Sequence, residues 1–238
     1  MRDNLYRNKM HDDRIQYRGK EPSRLDNLTD GVFGIAITLL IFNLANPNSF
    51  GDLLTFTKTL PAFLISIAFL VLVWNEHLRF SEIYALNDGI LTLLNTLFVA
   101  LIIFYVYPLR FLTLYLTNFF FHTDIQVSIQ GDQVSFLMIY YGCAAFAIYF
   151  TLFLFYQRAL KIKASLQLND FEVMYTRFQK IRLCIMFLVP LISIFLTTII
   201  HPYSYIYAAV AGGMTYCLYS PAIFIWYRKY KKASSAYV

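Results

Sequence analysis

Six long apolar runs dominate this chain, at about residues 25–46, 54–78, 89–117, 134–157, 181–201 and 203–227. Each reaches the roughly 20 residues that an α-helix needs to cross the hydrocarbon core of a bilayer. One soluble core could not absorb all six. Charged residues make up 14% of the chain, well below the roughly 25% of a soluble domain. The sequence therefore predicts an all-α membrane protein with six transmembrane helices. A short N-terminal arm (1–22) precedes the helical domain (23–227), and a basic tail (228–238) follows it. The spans leave no room for a second, soluble domain.

The net charge of +6 raises the question of a nucleic-acid partner, but the placement of the charge argues otherwise. Lys and Arg gather before the first run, at Arg79, around the junction of runs four and five, and after run six. Of the 20, only Lys58 and Arg110 fall on the opposite side. The positive-inside rule then puts both termini in the cytoplasm, which requires an even number of spans. The basic balance reads as a topology signal with some attraction to anionic lipid, and no nucleic-acid partner is expected. The arm is too charged, and too long before the first apolar run, for a signal peptide, and it reads as disordered. Cys143, Cys184 and Cys217 all lie within spans. They show neither a disulfide pattern nor metal spacing and read as buried small hydrophobes.

Local signals punctuate the spans. Ser23 followed by Asp26 fits a capping box, in which serine and carboxylate satisfy the free N–H groups of a helix start. Asn43, Asn46 and Pro47 end the first helix, and the loop to Asp52 turns it back. Pro61 lies near the outer end of span two, whose inner end is WNEHLRF. Pro108 to Arg110 reads as the stop of span three, and HPYS (201–204) as a tight outer turn. Ala208/Gly212 and Ala209/Gly213 are small-xxx-small pairs that allow close helix approach.

No charged residue lies mid-span, where each would cost roughly 2.5–3.5 kcal/mol. An arginine voltage ladder and a midplane proton relay are thus unsupported. The sequence has no TVGYG filter, HExxH, P-loop or GxSxG, and neither an enzyme nor a resident metal or cofactor is expected. What remains are ionisable groups where spans one and two begin and end: Arg24, Asp30, Glu76 and His77, with Trp74 alongside. Arg24 and Glu76 are as readily headgroup-level charges. Asp30 is too short to reach water from two turns inside the helix, so it needs a partner, either His77 or Arg24 of another subunit.

At about 100° per residue, Asp30, Gly34, Ile37 and Ile41 share one face of the first helix. Arg24, Gly31, Ile35, Thr38 and Phe42 share another. If the second stripe faced a pore, Ile35 and Phe42 would be apolar constrictions with the Thr38 oxygens between them. The alternative is that Thr38 only bonds its own backbone.

RLDNLTD (24–30) followed by GVFGIAITLLI resembles the first-helix signature R-x-x-x-F-S-D of the transmembrane protein 175 family of potassium channels. WNEH (74–77) is similar to the family's Trp and His at the end of its second helix, and Asn95 and Pro108 also look similar. The resemblance extends from about Arg24 to Tyr227. It implies a homotetramer in a bacterial plasma membrane, with the first helices around the axis and selection at side-chain rings rather than at a carbonyl filter. By the same resemblance, Ile35 looks like the hydrophobic constriction, Thr38 like a hydroxyl layer one turn outward, and Phe42 like a further apolar ring. Arg24, Leu28, Thr29, Asp30, Trp74 and His77 look like the packing network behind that helix. Two signature positions differ, Leu28 for Phe and Thr29 for Ser. Threonine keeps the hydroxyl, whereas leucine loses the ring.

The resulting expectation is a tetrameric, potassium-permeable channel embedded in lipid and passing monovalent cations. The alternative is a proton-permeable or ion-coupled transporter that works through Asp30 and His77.

Overall fold

The computed structural model describes residues 12–19, 21–42, 49–121 and 129–237, and every regular element among them is helical. The helices are α1 (Arg24–Phe42), α2 (Phe50–Thr57), α3 (Leu60–Tyr84), α4 (Gly89–Phe121), α5 (Gln133–Lys161), α6 (Asp170–Ile200), α7 (Tyr205–Met214) and α8 (Tyr219–Ser234). Thr215–Leu218 is a 3-10 turn that joins α7 to α8 as one continuous crossing. Five stretches are long and apolar enough to span a bilayer: α3, most of α4, α5, α6 and the α7–α8 run. The sixth helix, α1, has 19 residues and carries Arg24, Asp26 and Asp30 in its first two turns. Large apolar side chains such as Phe69, Leu72, Leu93, Phe104, Phe195 and Ile206 are exposed on the bundle, as a lipid-facing surface requires.

Several boundaries differ from the sequence expectation, each for a local reason. Span two does not begin at residue 54. Ser49 and Asp52 form a capping box for the separate helix α2, and α3 starts at Leu60 with Pro61 in its first turn, where the missing N–H costs nothing. Pro108 does not stop α4, which runs through it to Phe121. A membrane helix tolerates proline where neighbours satisfy the backbone, and here the Tyr141 hydroxyl donates to the Pro108 carbonyl at 2.5 Å. α6 begins at Asp170 rather than 181, started by a capping box between Asn169 and Glu172. Its first turns bury Phe171, Tyr175, Thr176 and Gln179 while carrying charges elsewhere, so a hydropathy reading misses them. Cys143 and Cys217 are exposed on the chain and Cys184 is half-buried, which corrects the expectation of three buried thiols. Asn43, Asn46 and Pro47 lie outside the described residues.

The helices pack in two groups. α1, α3 and α4 contact one another, α5 to α8 form the second group, and α5 joins the two through α4 and α3. Ala208 and Gly212 are both buried against α6, and the Ser193 hydroxyl donates to the Gly212 carbonyl at 2.8 Å. Of the two small-residue pairs, this one makes the close approach; a side chain at Gly213 would meet nothing within 4 Å. An aromatic cluster holds the groups together near the basic end of the bundle. Phe98 and Phe155 have ring centroids 6.0 Å apart, Phe80 and Tyr156 5.1 Å, and Tyr84 and Tyr156 5.8 Å.

The arm is not disordered over residues 12–19. Ile15 is part of the buried core, and Gly19 N–H donates to the Glu82 carbonyl at 2.9 Å. Two side-chain hydrogen bonds of 2.8 Å join Arg14 to Asp12, and this guanidinium holds the Asp12 carboxyl below the usual carboxylate range.

Candidate functional site

The first helix starts as its sequence dictates. The Ser23 hydroxyl accepts from Asp26 N–H at 3.2 Å, and an Asp26 carboxylate oxygen accepts from Ser23 N–H at 2.9 Å. From there α1 has two sides. Thr29, Val32, Phe33, Ala36 and Leu40 are buried against α3 and α4. Nearly opposite on the wheel, Arg24, Asn27, Leu28, Gly31, Gly34, Ile35 and Thr38 are exposed. Ile35 is 56% exposed and Leu28 60%, so none of the described residues covers that face. Ile35 and Thr38 thus lie together on an open stripe, which also includes Gly34 from the other predicted face. The Phe42 side chain falls outside the described residues.

The Thr38 hydroxyl donates to the Gly34 carbonyl at 2.9 Å. That uses its single proton inside the helix and leaves its oxygen lone pairs free to accept. The back-bond weighed in the sequence is present, and it is compatible with an outward-facing oxygen.

Behind the open stripe, two polar linkages fasten α1. The Trp74 indole N–H donates to Asp30 Oδ1 at 2.7 Å. His77 Nε2 and Asn95 Oδ1 lie 2.7 Å apart, and Asn95 Nδ2 donates to Thr29 Oγ1 at 2.7 Å. Thr29 in turn donates to the Leu25 carbonyl at 2.9 Å. The direction of this chain fixes the tautomer. With the Asn95 amide donating to threonine, its oxygen must accept, so His77 carries its proton on Nε2. The imidazole stacks on Phe98 at 5.2 Å and meets Phe155 edge-on at 5.7 Å.

This geometry corrects the expected pairing. Asp30 takes Trp74, not His77, and His77 takes Asn95, because the helix rotations put the imidazole deep between α3, α4 and α5. Thr29 keeps the hydrogen bond that its hydroxyl predicted. Leu28 is outside the network, and Arg24 makes no hydrogen bond or ion pair among the described residues. The other end of α1 is held by Arg110, whose Nη1 donates to the Leu40 carbonyl at 2.9 Å; a cation there also complements the helix dipole.

Sequence reasoning missed Arg110 and the partner of Glu76. Glu76 is no headgroup-level charge: Arg182 Nη1 donates to its Oε1 at 3.0 Å, Nη2 donates to Oε2, and both side chains are largely buried. Arg110 had a visible signal, as one of two cations on the side opposite the other basic residues. Arg182 had none, since pairing across α3 and α6 depends on tertiary packing. Among the described residues, no cluster of His, Cys, Asp or Glu could hold a metal ion.

A multi-pass helical membrane protein whose first helix is clamped on one side by side-chain hydrogen bonds and left open on the other is the class these features define. Residues 24–106 match the family described as the endosomal/lysosomal potassium channel TMEM175. A protein of Marivirga tractuosa named "Potassium channel" is 33% identical over 92% of each chain. "Potassium channel Cha6605_3372" of Chamaesiphon minutus is 31% identical over 41% of this chain and 52% of its own length. The crystal structure of a variant of the potassium channel MtTMEM175 with a nanobody–MBP fusion superposes with a TM-score of 0.84. It is 31% identical and covers 93% of this chain and 99% of its own. The chain belongs to the TMEM175 family, whose named relatives are ion channels, not enzymes.

Proposed function

We propose that this chain is a potassium-permeable channel of a bacterial plasma membrane, assembled as a homotetramer with both termini cytoplasmic. The α1 helices surround the axis. Ile35 forms the constriction, Thr38 an oxygen ring one turn outward, and Phe42 a further apolar ring. No resident cofactor is required; the permeant ion is the only ligand.

The observation that carries this reading is the open face of α1. A membrane helix that exposes Gly31, Gly34, Ile35 and Thr38 opposite a buried face needs a partner or a pathway, and neighbouring copies supply both. Ions would shed part of their water at Ile35 and take Thr38 oxygens in exchange, and the Ile35 ring would close by dewetting. The names of the relatives support potassium as the ion. The transporter alternative loses its working pair, since Asp30 and His77 bond to different partners.

Bilayer recordings with K⁺ and Na⁺ on opposite sides test the assignment. Thr38→Ala should shift the reversal potential toward zero K⁺ preference, and Ile35→Asn should raise leak. Wild-type reversal potentials in both variants would overturn the filter residues. Chemical cross-linking that stops at the dimer would overturn the tetramer.

A further inference from the structure

The segment preceding α1 is built into the bundle at the end where α3, α6 and α8 meet. Arg18 forks onto Glu172 with both contacts at 2.9 Å. The same guanidinium reaches the carbonyls of Gln16 at 2.9 Å, Leu166 at 3.1 Å and Gln167 at 3.3 Å. Glu172 is 1% exposed, and its carboxylate also accepts from Gln16 N–H at 2.8 Å and Asn169 N–H at 2.9 Å. One buried carboxylate thus caps α6 and seats the arm at once.

Two further features fit a segment that must sit in one place. Gly19 lies so close to α3 that a Cβ there would fall 2.6 Å from the Ser81 carbonyl oxygen, so only glycine fits. Ala85 and Gln167 have φ of 44° and 50°, a left-handed conformation that costs a non-glycine residue energy. Ala85 closes α3 beside the docked arm, and Gln167 gives its carbonyl to Arg18. Strain of this kind persists where surrounding contacts over-determine it, and it marks functional elements. A buried ion pair adds little net stability compared with an apolar pair, so its use here is to fix position.

Residues 20–23 alone connect this anchor to the first turn of α1. We infer that residues 12–19 are a strap latched by Arg18 and Glu172, positioning the start of the pore helix so that release of the latch changes gating. The inference rests on the reading of α1 as the pore helix. The α1 helix is then held at three heights: by the strap below, by Thr29 and Asp30 behind, and by Arg110 at the far end. The lower hold is the one that links α1, by way of the strap, to Glu172 of α6 and Ser234 of α8, so movement of those helices reaches the pore helix through it.

Two variants unlatch the strap by different routes. Arg18→Gln removes the fork and leaves the capping box of α6 intact. Gly19→Ala pushes the backbone off α3 without touching the ion pair. Arg177→Gln, an exposed cation at the same end, controls for lost charge. Hydrogen exchange over residues 24–34 in nanodiscs and open probability in bilayers are the two readouts. Both unlatching variants should speed exchange and shift open probability by roughly tenfold, the scale of losing one buried charged hydrogen bond. Reversal potential should not move, and the control should match wild type. Unchanged exchange or unchanged open probability in both variants overturns the latch. If wild type carries no K⁺ current, the channel reading fails, and the exchange readout alone still decides whether the strap holds α1.

Discussion

The indole N–H of Trp74 reaches a carboxylate oxygen of Asp30 at 2.7 Å, tying α3 to the edge of the open face of α1. Asp30 is exposed within the chain while Trp74 is half-buried, so the bond anchors a charge that would otherwise be free to swing. Trp74→Phe keeps an aromatic ring at the position and removes the donor together with part of the bulk. It should cost about 1 kcal/mol, read as a fall of about 2–4 °C in the thermal midpoint of the assembled protein. Arg24→Gln should leave that midpoint of the isolated subunit unchanged. A fall confined to the oligomer would place Arg24 against a neighbouring copy.

The Glu76–Arg182 pair should behave differently because both partners are largely buried. Arg182 Nε also donates to Gln179 Oε1 at 2.8 Å. Removing one partner alone strands the other charge, so Glu76→Gln or Arg182→Met should each cost about 3–5 kcal/mol. The double variant should recover most of that loss, since a neutral pair leaves no stranded ion. A double-mutant cycle on thermal midpoints checks this; additive losses would mean that the two charges act independently.

The sequence carried the fold further than it carried the pairings. Long apolar runs define crossings by length and composition, and the helical period put Ile35 and Thr38 on one face, which is open; it set Asp30 and Gly34 on the other face, whereas the buried face is Thr29, Phe33 and Ala36. What hydropathy cannot see is a helix that continues past the lipid. The Asn169–Glu172 capping box that starts α6 went unread in the sequence, because the charges that follow it resemble a loop. Pairings such as His77 with Asn95 depend on how α3 and α4 are rotated against each other, which no single-helix pattern contains. The docked arm was invisible for a related reason: its ordering comes from Glu172, more than 150 residues away.

Adjacent glycines in α7 should respond oppositely to a side chain. A Cβ at Gly212 would fall 2.2 Å from Thr197 Oγ1, so Gly212→Val must push α7 off α6 and should cost about 1–3 kcal/mol or more. A Cβ at Gly213 would meet nothing within 4 Å, and Gly213→Ala should be neutral or stabilise by up to about 1 kcal/mol. Thermal midpoints of the two variants, compared side by side, check the close approach. Equal responses would contradict it.

Asn95 is the position where one substitution should do most damage to the clamp. Its amide oxygen accepts from His77 and its nitrogen donates to Thr29, and all three residues are buried. Asn95→Leu fills similar space but orphans a donor and an acceptor, each worth about 1–3 kcal/mol when buried without a partner. The loss should therefore be about 2–6 kcal/mol, with α1 loosened against α4 before the whole bundle unfolds. Adding His77→Phe removes the stranded imidazole N–H and keeps the ring stack on Phe98, so the double variant should recover part of that loss. If Asn95→Leu instead has a wild-type midpoint, the His77–Asn95–Thr29 chain does not fasten α1. The positions of Ile35 and Thr38 would then have to rest on the Trp74–Asp30 and Arg110–Leu40 hydrogen bonds and on apolar packing through Phe33, Ala36 and Leu40.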